Sequence, residues 1–187
     1  MNPEIKSALL RVFPFMIALI FLVIAIHRNK ISKSEIDLHK PASLKTYLLW
    51  ITGFLIFIVG SEFALYRFGI LEINSWNHTL IPSIIRITGA LVFAPIVEEL
   101  IFRGVLLNFL KKIKLNIHMA IFSQAVIFVL LHNFAYDNTL SSHIGIIQSL
   151  TDAILYGYSR HLTKSIYTPI TMHMLGNLVA TAERFIL

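Results

Sequence analysis

The chain has 187 residues, of which 56% are hydrophobic and only 14% are charged, and its formal net charge is +6. About a quarter of the residues in a typical soluble domain are charged, so this composition argues against a soluble globular fold. The basic residues stand between apolar blocks rather than on one amphipathic face, which argues against nucleic-acid binding. Cysteine is absent, which excludes disulfides, thiolate metal sites and a cysteine nucleophile.

Six apolar segments follow one another along the chain, in blocks suited to a hydrocarbon layer of about 30 Å. The sequence predicts helices over residues 8–26, 47–65, 81–110, 116–134, 143–158 and 166–186. Basic residues follow the first segment directly, without a small-residue cleavage site, which favours a retained helix over a signal peptide. The predicted fold is all-α: a polytopic bundle of about six transmembrane helices, in a multi-pass protein of the cell membrane whose partner is the lipid bilayer.

Loop charge predicts how this bundle is oriented. Lysine and arginine concentrate in the first, third and fifth loops, at Arg28, Lys30, Lys33, Lys40 and Lys45, at Lys111, Lys112 and Lys114, and at Arg160 and Lys164. The second and fourth loops are poor in both residue types. Because basic loops are retained on the cytoplasmic side, we expect the odd-numbered loops to be cytoplasmic and both termini to lie on the far side.

The third segment carries three charges in an otherwise apolar run: Glu98, Glu99 and Arg103. Each charge inside a bilayer costs at least about 2.5 kcal/mol unless it is paired or functional. Residues four apart share a helix face, so Glu99 and Arg103 are predicted to form an ion pair. Glu98 is rotated from Glu99 by about 100° and has no partner in its own helix. The pair alone can be a structural charge cluster, but the unpaired Glu98 indicates a function.

Two other segments supply polar residues that can meet Glu98. The fourth segment ends with Phe128 and His132, and the sixth contains His173 and Asn177 on one helix face. A single histidine in an apolar helix is more often a packing residue than a catalyst. However, Glu98 and His132 lie at similar distances from the turn between their helices, so an antiparallel hairpin places them at one depth. His173 fits that depth only if residues 165–169 are extended, which is the conformation we expect there.

These residue types at one depth predict a hydrolytic site. A carboxylate can act as general base on water, and a histidine can help to orient that water. A second histidine and an asparagine can donate hydrogen bonds to the developing oxyanion.

The same residues form three ordered motifs. The run from Glu98 to Gly104 matches EExxxR, Phe128 to His132 matches FxxxH, and His173 to Asn177 matches HxxxN. Together they resemble the CPBP family (CAAX protease and bacteriocin-processing, also called Abi), which includes intramembrane endopeptidases similar to the Ras-converting enzyme.

The resemblance implies a role for each motif residue. It assigns water activation to Glu98 with help from His132, and oxyanion stabilisation to His173 and Asn177. Glu99, Arg103 and Phe128 become supporting residues. It also implies one membrane domain over residues 1–187, with N-terminal helices that carry no recognised motif (1–80) and a catalytic core (81–187).

Alternatives to this interpretation stay open from sequence alone. Glu98, His132 and His173 can supply a zinc site, although HExxH is absent, and we favour a metal-free reaction that requires no cofactor. The expected substrate is a membrane-associated protein or peptide, prenylated or not, and no oligomeric state is predicted. The non-enzymatic alternative is a membrane scaffold or regulator, acting in bacteriocin immunity or on a membrane-bound signalling protein. A transporter would instead spread its charges along a path.

Overall fold

The computed structural model describes residues 2–132 and 139–186. Over these residues the chain forms six helices and no strand, so the all-α prediction is confirmed. The helices are α1 (Pro3–His27), α2 (Leu44–Arg67), α3 (Leu80–Lys112), α4 (Ile117–His132), α5 (Leu140–Thr163) and α6 (Tyr167–Ile186). The last two residues of the fourth predicted segment, Asn133 and Phe134, lie outside the described residues.

Capping residues explain why three helices begin before their apolar periodicity does. The side chain of Asn2 accepts a hydrogen bond from the Glu4 backbone N–H at 2.8 Å. Ser43 and Thr139 do the same at the starts of α2 and α5, with oxygen-to-nitrogen distances of 3.2 Å each. Such caps satisfy backbone donors that have no partner within the helix. The helix starts are therefore set by polar residues rather than by the apolar pattern.

Three helices, α1, α2 and α3, are long and apolar enough to cross a membrane. α4 is apolar but shorter. α5 and α6 are more polar because they carry site residues, among them Gln148, Asp152, His173 and Asn177. Length and composition therefore support a multi-pass membrane protein. Taken alone, they identify only three of the six predicted spans.

The sequence pattern predicts a regular α-helix for α3. The structure shows instead a helix that is irregular in two places. Its hydrogen bonding widens to π-helical spacing over Gly89–Phe93 and again over Glu99–Leu106. The first widened turn ends just before Pro95, which has no backbone N–H to donate. Such widened turns occur frequently at functional sites. In α3 the second one begins directly after Glu98.

The basic loops gather at one end of the bundle. Lys112 Nζ lies 2.8 Å from Glu35 Oε1, and the Ile166 N–H donates to Asp37 O at 2.9 Å, so the first, third and fifth loops are adjacent. At the opposite end the Trp76 N–H donates to Arg184 O at 2.8 Å. This arrangement agrees with the predicted grouping of the loops, and the side that faces the cytoplasm stays a prediction.

Two local predictions are wrong. Arg160, counted as a loop charge, lies inside α5 and is only 2% exposed, with Asp37 Oδ2 at 3.0 Å from its guanidinium. It is therefore a buried structural charge and does not report orientation. Residues 165–169 are not extended, because α6 already begins at Tyr167, and Pro169 lies in the first turn, where an N–H has no helical acceptor.

Candidate active site

Three helices bring their polar residues together around Glu98. His132 Nε2, at the end of α4, lies 3.7 Å from Glu98 Oε1. His173 Nε2, on α6, lies 3.7 Å from Glu98 Oε2. All three side chains line a cavity of about 390 Å³, which Asn177 lines as well. The structure thus places the four residues predicted as catalytic around one cavity.

The cavity is accessible enough to hold water. The His132 side chain is 37% exposed, whereas Glu98 and His173 are 12% and 10% exposed. Hydrolysis requires water at the reacting carbonyl, and the centre of a bilayer provides none. A polar cavity that reaches the carboxylate meets this requirement.

The second nitrogen of each imidazole has a fixed partner. His132 Nδ1 donates to Phe128 O at 2.7 Å, and His173 Nδ1 donates to Glu99 Oε1 at 2.9 Å. A carbonyl oxygen and an ionised carboxylate only accept hydrogen bonds, so both protons must lie on Nδ1. When neutral, both histidines therefore face Glu98 with an unprotonated Nε2. Each Nε2 can accept a hydrogen bond from water, and it can donate one only as imidazolium.

The predicted pair of Glu99 and Arg103 is present. Arg103 Nη1 donates to Glu99 Oε1 at 2.9 Å, and both side chains are fully buried. Arg103 also donates to Ala153 O at 3.3 Å. Its guanidinium lies between two aromatic rings, 4.7 Å from the Phe128 centroid and 5.2 Å from the Tyr156 centroid. The carboxylate and the aromatic faces favour this charge, although Arg103 Nε is buried without a hydrogen-bond partner among the described residues.

Glu99 has a second contact that the helix-face argument missed. Its Oε1 accepts from both Arg103 and His173, so Glu98 and Glu99 hold opposite nitrogens of one imidazole. Sequence reasoning placed the two carboxylates on different faces of a regular helix. An imidazole is broad enough to meet both when it enters between them. Glu99 therefore acts on the site through His173 as well as through Arg103.

Asn177 lies on the same face of α6 as His173, one turn further along. Its Nδ2 donates to Ala90 O at 2.7 Å, within the first π-helical turn of α3. An amide nitrogen has two hydrogens, so one of them is left for a ligand in the cavity.

Aromatic rings hold the two imidazoles in place. The Phe128 ring lies 4.3 Å from the His132 ring and 5.0 Å from the Phe102 ring. Tyr156 stacks on His173 at 5.2 Å with an interplanar angle of 23°. Each ring limits the rotation of the imidazole that it covers, which keeps both Nε2 atoms directed at Glu98.

Sequence reasoning missed the contribution of α5. Gln148, Asp152 and Tyr156 line the catalytic cavity together with Glu62 of α2, and Gln148 Nε2 donates to Glu62 Oε1 at 2.9 Å. The α5 residues are spaced by four and so share one helix face. That spacing was the signal available in the sequence.

The predicted zinc alternative requires Glu98, His132 and His173 to surround a metal ion. In the part of the chain that the structure describes, no three His, Asp or Glu side chains have the arrangement of a metal site. The metal-free reaction therefore stays a prediction.

Comparison with protein families adds a separate observation. The family model for type II CAAX prenyl endopeptidases, Rce1-like, matches residues 43–179, which is more than half of the chain. The chain belongs to this family. The Rce1-like match contains all the cavity residues named above, whereas α1 lies before it. No curated protein and no solved structure matches the chain.

Membership in the Rce1-like family places the chain in a protease family. The CPBP resemblance of the three motifs is confirmed by this match. A membrane protease family also implies a membrane environment and a protein or peptide substrate in general.

Proposed function

We propose that this protein is an intramembrane endopeptidase that hydrolyses a peptide bond of a membrane-associated protein or peptide, using water activated by Glu98. The observation that carries the proposal is the approach of two imidazole Nε2 atoms to the two oxygens of Glu98, both at 3.7 Å, in a cavity. Glu98 lies well inside α3, one of the three long apolar helices. A carboxylate at that position that faces two histidines, with no lysine or arginine partner among the described residues, is best explained by chemistry.

Water activation follows from the acceptors that face each other. Glu98 Oε1 and the unprotonated Nε2 of His132 both accept hydrogen bonds, so a water molecule between them donates one hydrogen to each. The water oxygen then attacks the peptide carbonyl carbon while its proton moves to Glu98. His132 orients the water, and Phe128 O keeps its tautomer.

The oxyanion and the leaving group use the opposite side of the site. Asn177 Nδ2 offers its second hydrogen to the carbonyl oxygen as that oxygen becomes negative. His173, whose Nδ1 lies 2.9 Å from Glu99 Oε1, does so when its Nε2 carries a proton. The C–N bond then breaks, and the proton held by Glu98 moves to the leaving nitrogen. The reaction requires no cofactor.

The proposal includes the membrane arrangement. α4, α5 and α6 complete a six-span bundle in the cell membrane by packing against the three long apolar helices. Their polar faces surround the catalytic cavity instead of facing lipid, which supports this arrangement. The whole chain then acts as a single membrane domain with its catalytic core in residues 81–187.

The test is cleavage by purified protein in liposomes. A library of lipid-anchored peptides is incubated with the wild type and with Glu98→Gln, and products are identified by mass spectrometry. Glutamine keeps the size of the side chain but removes the base, so we expect the rate to fall roughly 100-fold or more. Glu72→Gln is the matched control, because Glu72 is exposed and lies outside the catalytic cavity.

Two outcomes would contradict the proposal. Wild-type rates in folded Glu98→Gln would exclude Glu98 as the base. A cellular phenotype that survives Glu98→Gln unchanged would instead support the non-proteolytic scaffold or regulator.

A further inference from the structure

One side of the catalytic cavity, formed by α2 and α5, carries polar groups that the proposed reaction does not use. Glu62 comes from α2, and Gln148, Asp152 and Tyr156 come from one face of α5. No lysine or arginine is among the described residues that line this cavity. We call these four residues the acidic subsite.

The negative charge of the acidic subsite is not neutralised by the rest of the described chain. Neither Glu62 nor Asp152 forms an ion pair with a lysine or arginine among the described residues, and the two are close enough to repel each other. The groups that offset the charge of Asp152 are His173 and Arg103, and both already contact Glu99. Two like charges beside one cavity are unfavourable unless a cation joins them.

Tyr156 indicates independently that a ligand binds on this side. It is only 3% exposed, and its hydroxyl has no hydrogen-bond partner among the described residues. The hydroxyl oxygen lies 3.2 Å from the position that a Cβ on Gly176 would take, and Gly176 lines the same cavity. A buried tyrosine hydroxyl normally has a hydrogen-bond partner. A group that enters the cavity supplies that partner.

The free atoms of the acidic subsite are mainly hydrogen-bond acceptors. Gln148 Nε2 donates to Glu62 Oε1 at 2.9 Å, which leaves the amide oxygen of Gln148 and the second oxygen of Glu62 to accept from a ligand. Asp152 adds two carboxylate oxygens and Tyr156 adds a hydroxyl. The side chains of lysine and arginine carry several N–H donors and no acceptor. The subsite therefore fits a basic side chain.

The acidic character continues beyond the catalytic cavity. Glu62 and Gln148 also line a neighbouring cavity of about 320 Å³, to which Glu72 and Glu183 contribute two further carboxylates. Arg184 is the one basic residue among the described residues that line it. A basic side chain that enters from this end of the bundle therefore meets carboxylates on its way to the acidic subsite.

We infer that the acidic subsite binds a basic side chain of the peptide substrate, so that the protease selects for lysine or arginine near the scissile bond. This inference rests on the proposed function. Tyr156 stacks on His173, whereas Asp152 and Gln148 lie one and two turns away along α5, at about 5 and 11 Å. An extended peptide covers about 3.3–3.6 Å per residue, so the basic residue lies within about three residues of the scissile bond.

The experiment starts from the peptide that the wild type cleaves best in a Glu98-dependent manner. Lysine is placed in turn at each position within about three residues of the cleavage site, and the best position is then compared with glutamine and glutamate. The lipid-anchored peptides are held in phosphatidylcholine liposomes, because a zwitterionic bilayer does not itself attract the lysine form. We expect lysine to exceed glutamine in kcat/KM by roughly 10-fold or more, mainly through KM, and glutamate to be the poorest.

Asp152→Asn and Glu62→Gln each remove one negative charge while side-chain size stays nearly the same. We expect either variant to reduce the preference for lysine over glutamine to within about threefold, and Asp152→Glu to keep the preference. Tyr156→Phe keeps the ring that covers His173 and removes one neutral acceptor, so it should reduce the preference less. Glu35→Gln is the matched control, since Glu35 is an exposed carboxylate of the first loop and does not line the cavity. It should keep the wild-type preference.

Binding provides a second measurement that does not depend on hydrolysis. The Glu98→Gln protein retains all four residues of the acidic subsite. Its affinity for the lysine and glutamine forms of the library peptides is measured in the same liposomes by energy transfer between labelled protein and labelled peptide. We expect the lysine form to bind roughly 10-fold more tightly or better.

The outcomes separate the two proposals. If no peptide is cleaved in a Glu98-dependent manner but the lysine form binds more tightly, the proposed function is wrong and the acidic subsite stands. If cleavage depends on Glu98 but the lysine and glutamine forms react and bind equally at every position, the proposed function stands and the inference is wrong. A lysine preference that persists in both Asp152→Asn and Glu62→Gln would also overturn the inference, because the basic side chain must then bind elsewhere.

Discussion

Replacement of Arg103 by alanine tests the buried ion pair most directly. Arg103 and Glu99 are both fully buried, and their nitrogen and oxygen atoms are 2.9 Å apart. The substitution leaves Glu99 charged and without its guanidinium partner, which costs about 3–5 kcal/mol. Total stabilities are about 5–15 kcal/mol, so the loss is a large fraction. For a chain of this size it corresponds to a melting temperature lowered by about 6–20 °C.

The measurement is thermal unfolding of purified protein in lipid, together with the yield of folded protein. A double variant, Glu99→Gln with Arg103→Met, is the informative control. Replacing both charges by neutral residues of similar size is often neutral or stabilising, so the double variant should melt near the wild type. It should nevertheless hydrolyse peptides slowly, because His173 loses the carboxylate that holds its Nδ1. A folded Arg103→Ala protein with a wild-type melting temperature would refute the reasoning.

Three further predictions concern the site and its packing. His132→Ala should lower the hydrolysis rate by roughly 100-fold or more. The double variant with Glu98→Gln should be little slower than either single variant, because the effects of residues that act as a unit are not additive. If the two rate losses multiply in the double variant, the residues have independent roles. Chelators should leave peptide cleavage intact, and full loss that zinc restores would establish the metal mechanism. Gly89→Ala places a Cβ in steric conflict with Val12 Cγ2 and should lower the free energy of unfolding by about 1–3 kcal/mol. Gly60→Ala, which meets no atom within 4 Å, should not lower it, as urea or thermal unfolding can measure.

Much of the fold was predictable because apolar length and helix periodicity are local properties. All six predicted segments correspond to helices, with ends that differ by a few residues where caps such as Ser43 and Thr139 extend them. The membrane-spanning potential of the last three helices was less predictable. Their polar residues lower the average hydropathy, and only packing shows that those residues face an interior cavity.

The candidate site was predictable as a set of residues but not as an arrangement. The pairing of Glu99 with Arg103 follows from four-residue spacing, which keeps two side chains close even in the widened turns of α3. The bridging of Glu98 and Glu99 by His173 does not follow from any spacing, since it depends on how α6 packs against α3. Arg160 was misassigned for the same reason: its partner Asp37 is distant in sequence.

The sequence by itself determined which segments are helical, which charges stand in apolar surroundings and which motif residues belong together. These properties depend on composition and on residues a few positions apart, which the chain carries in any conformation. Only the tertiary structure decided which nitrogen of each histidine faces Glu98 and that α5 contributes to the catalytic cavity. Those features join residues from different helices, and their positions are set by packing between helices rather than by local propensity.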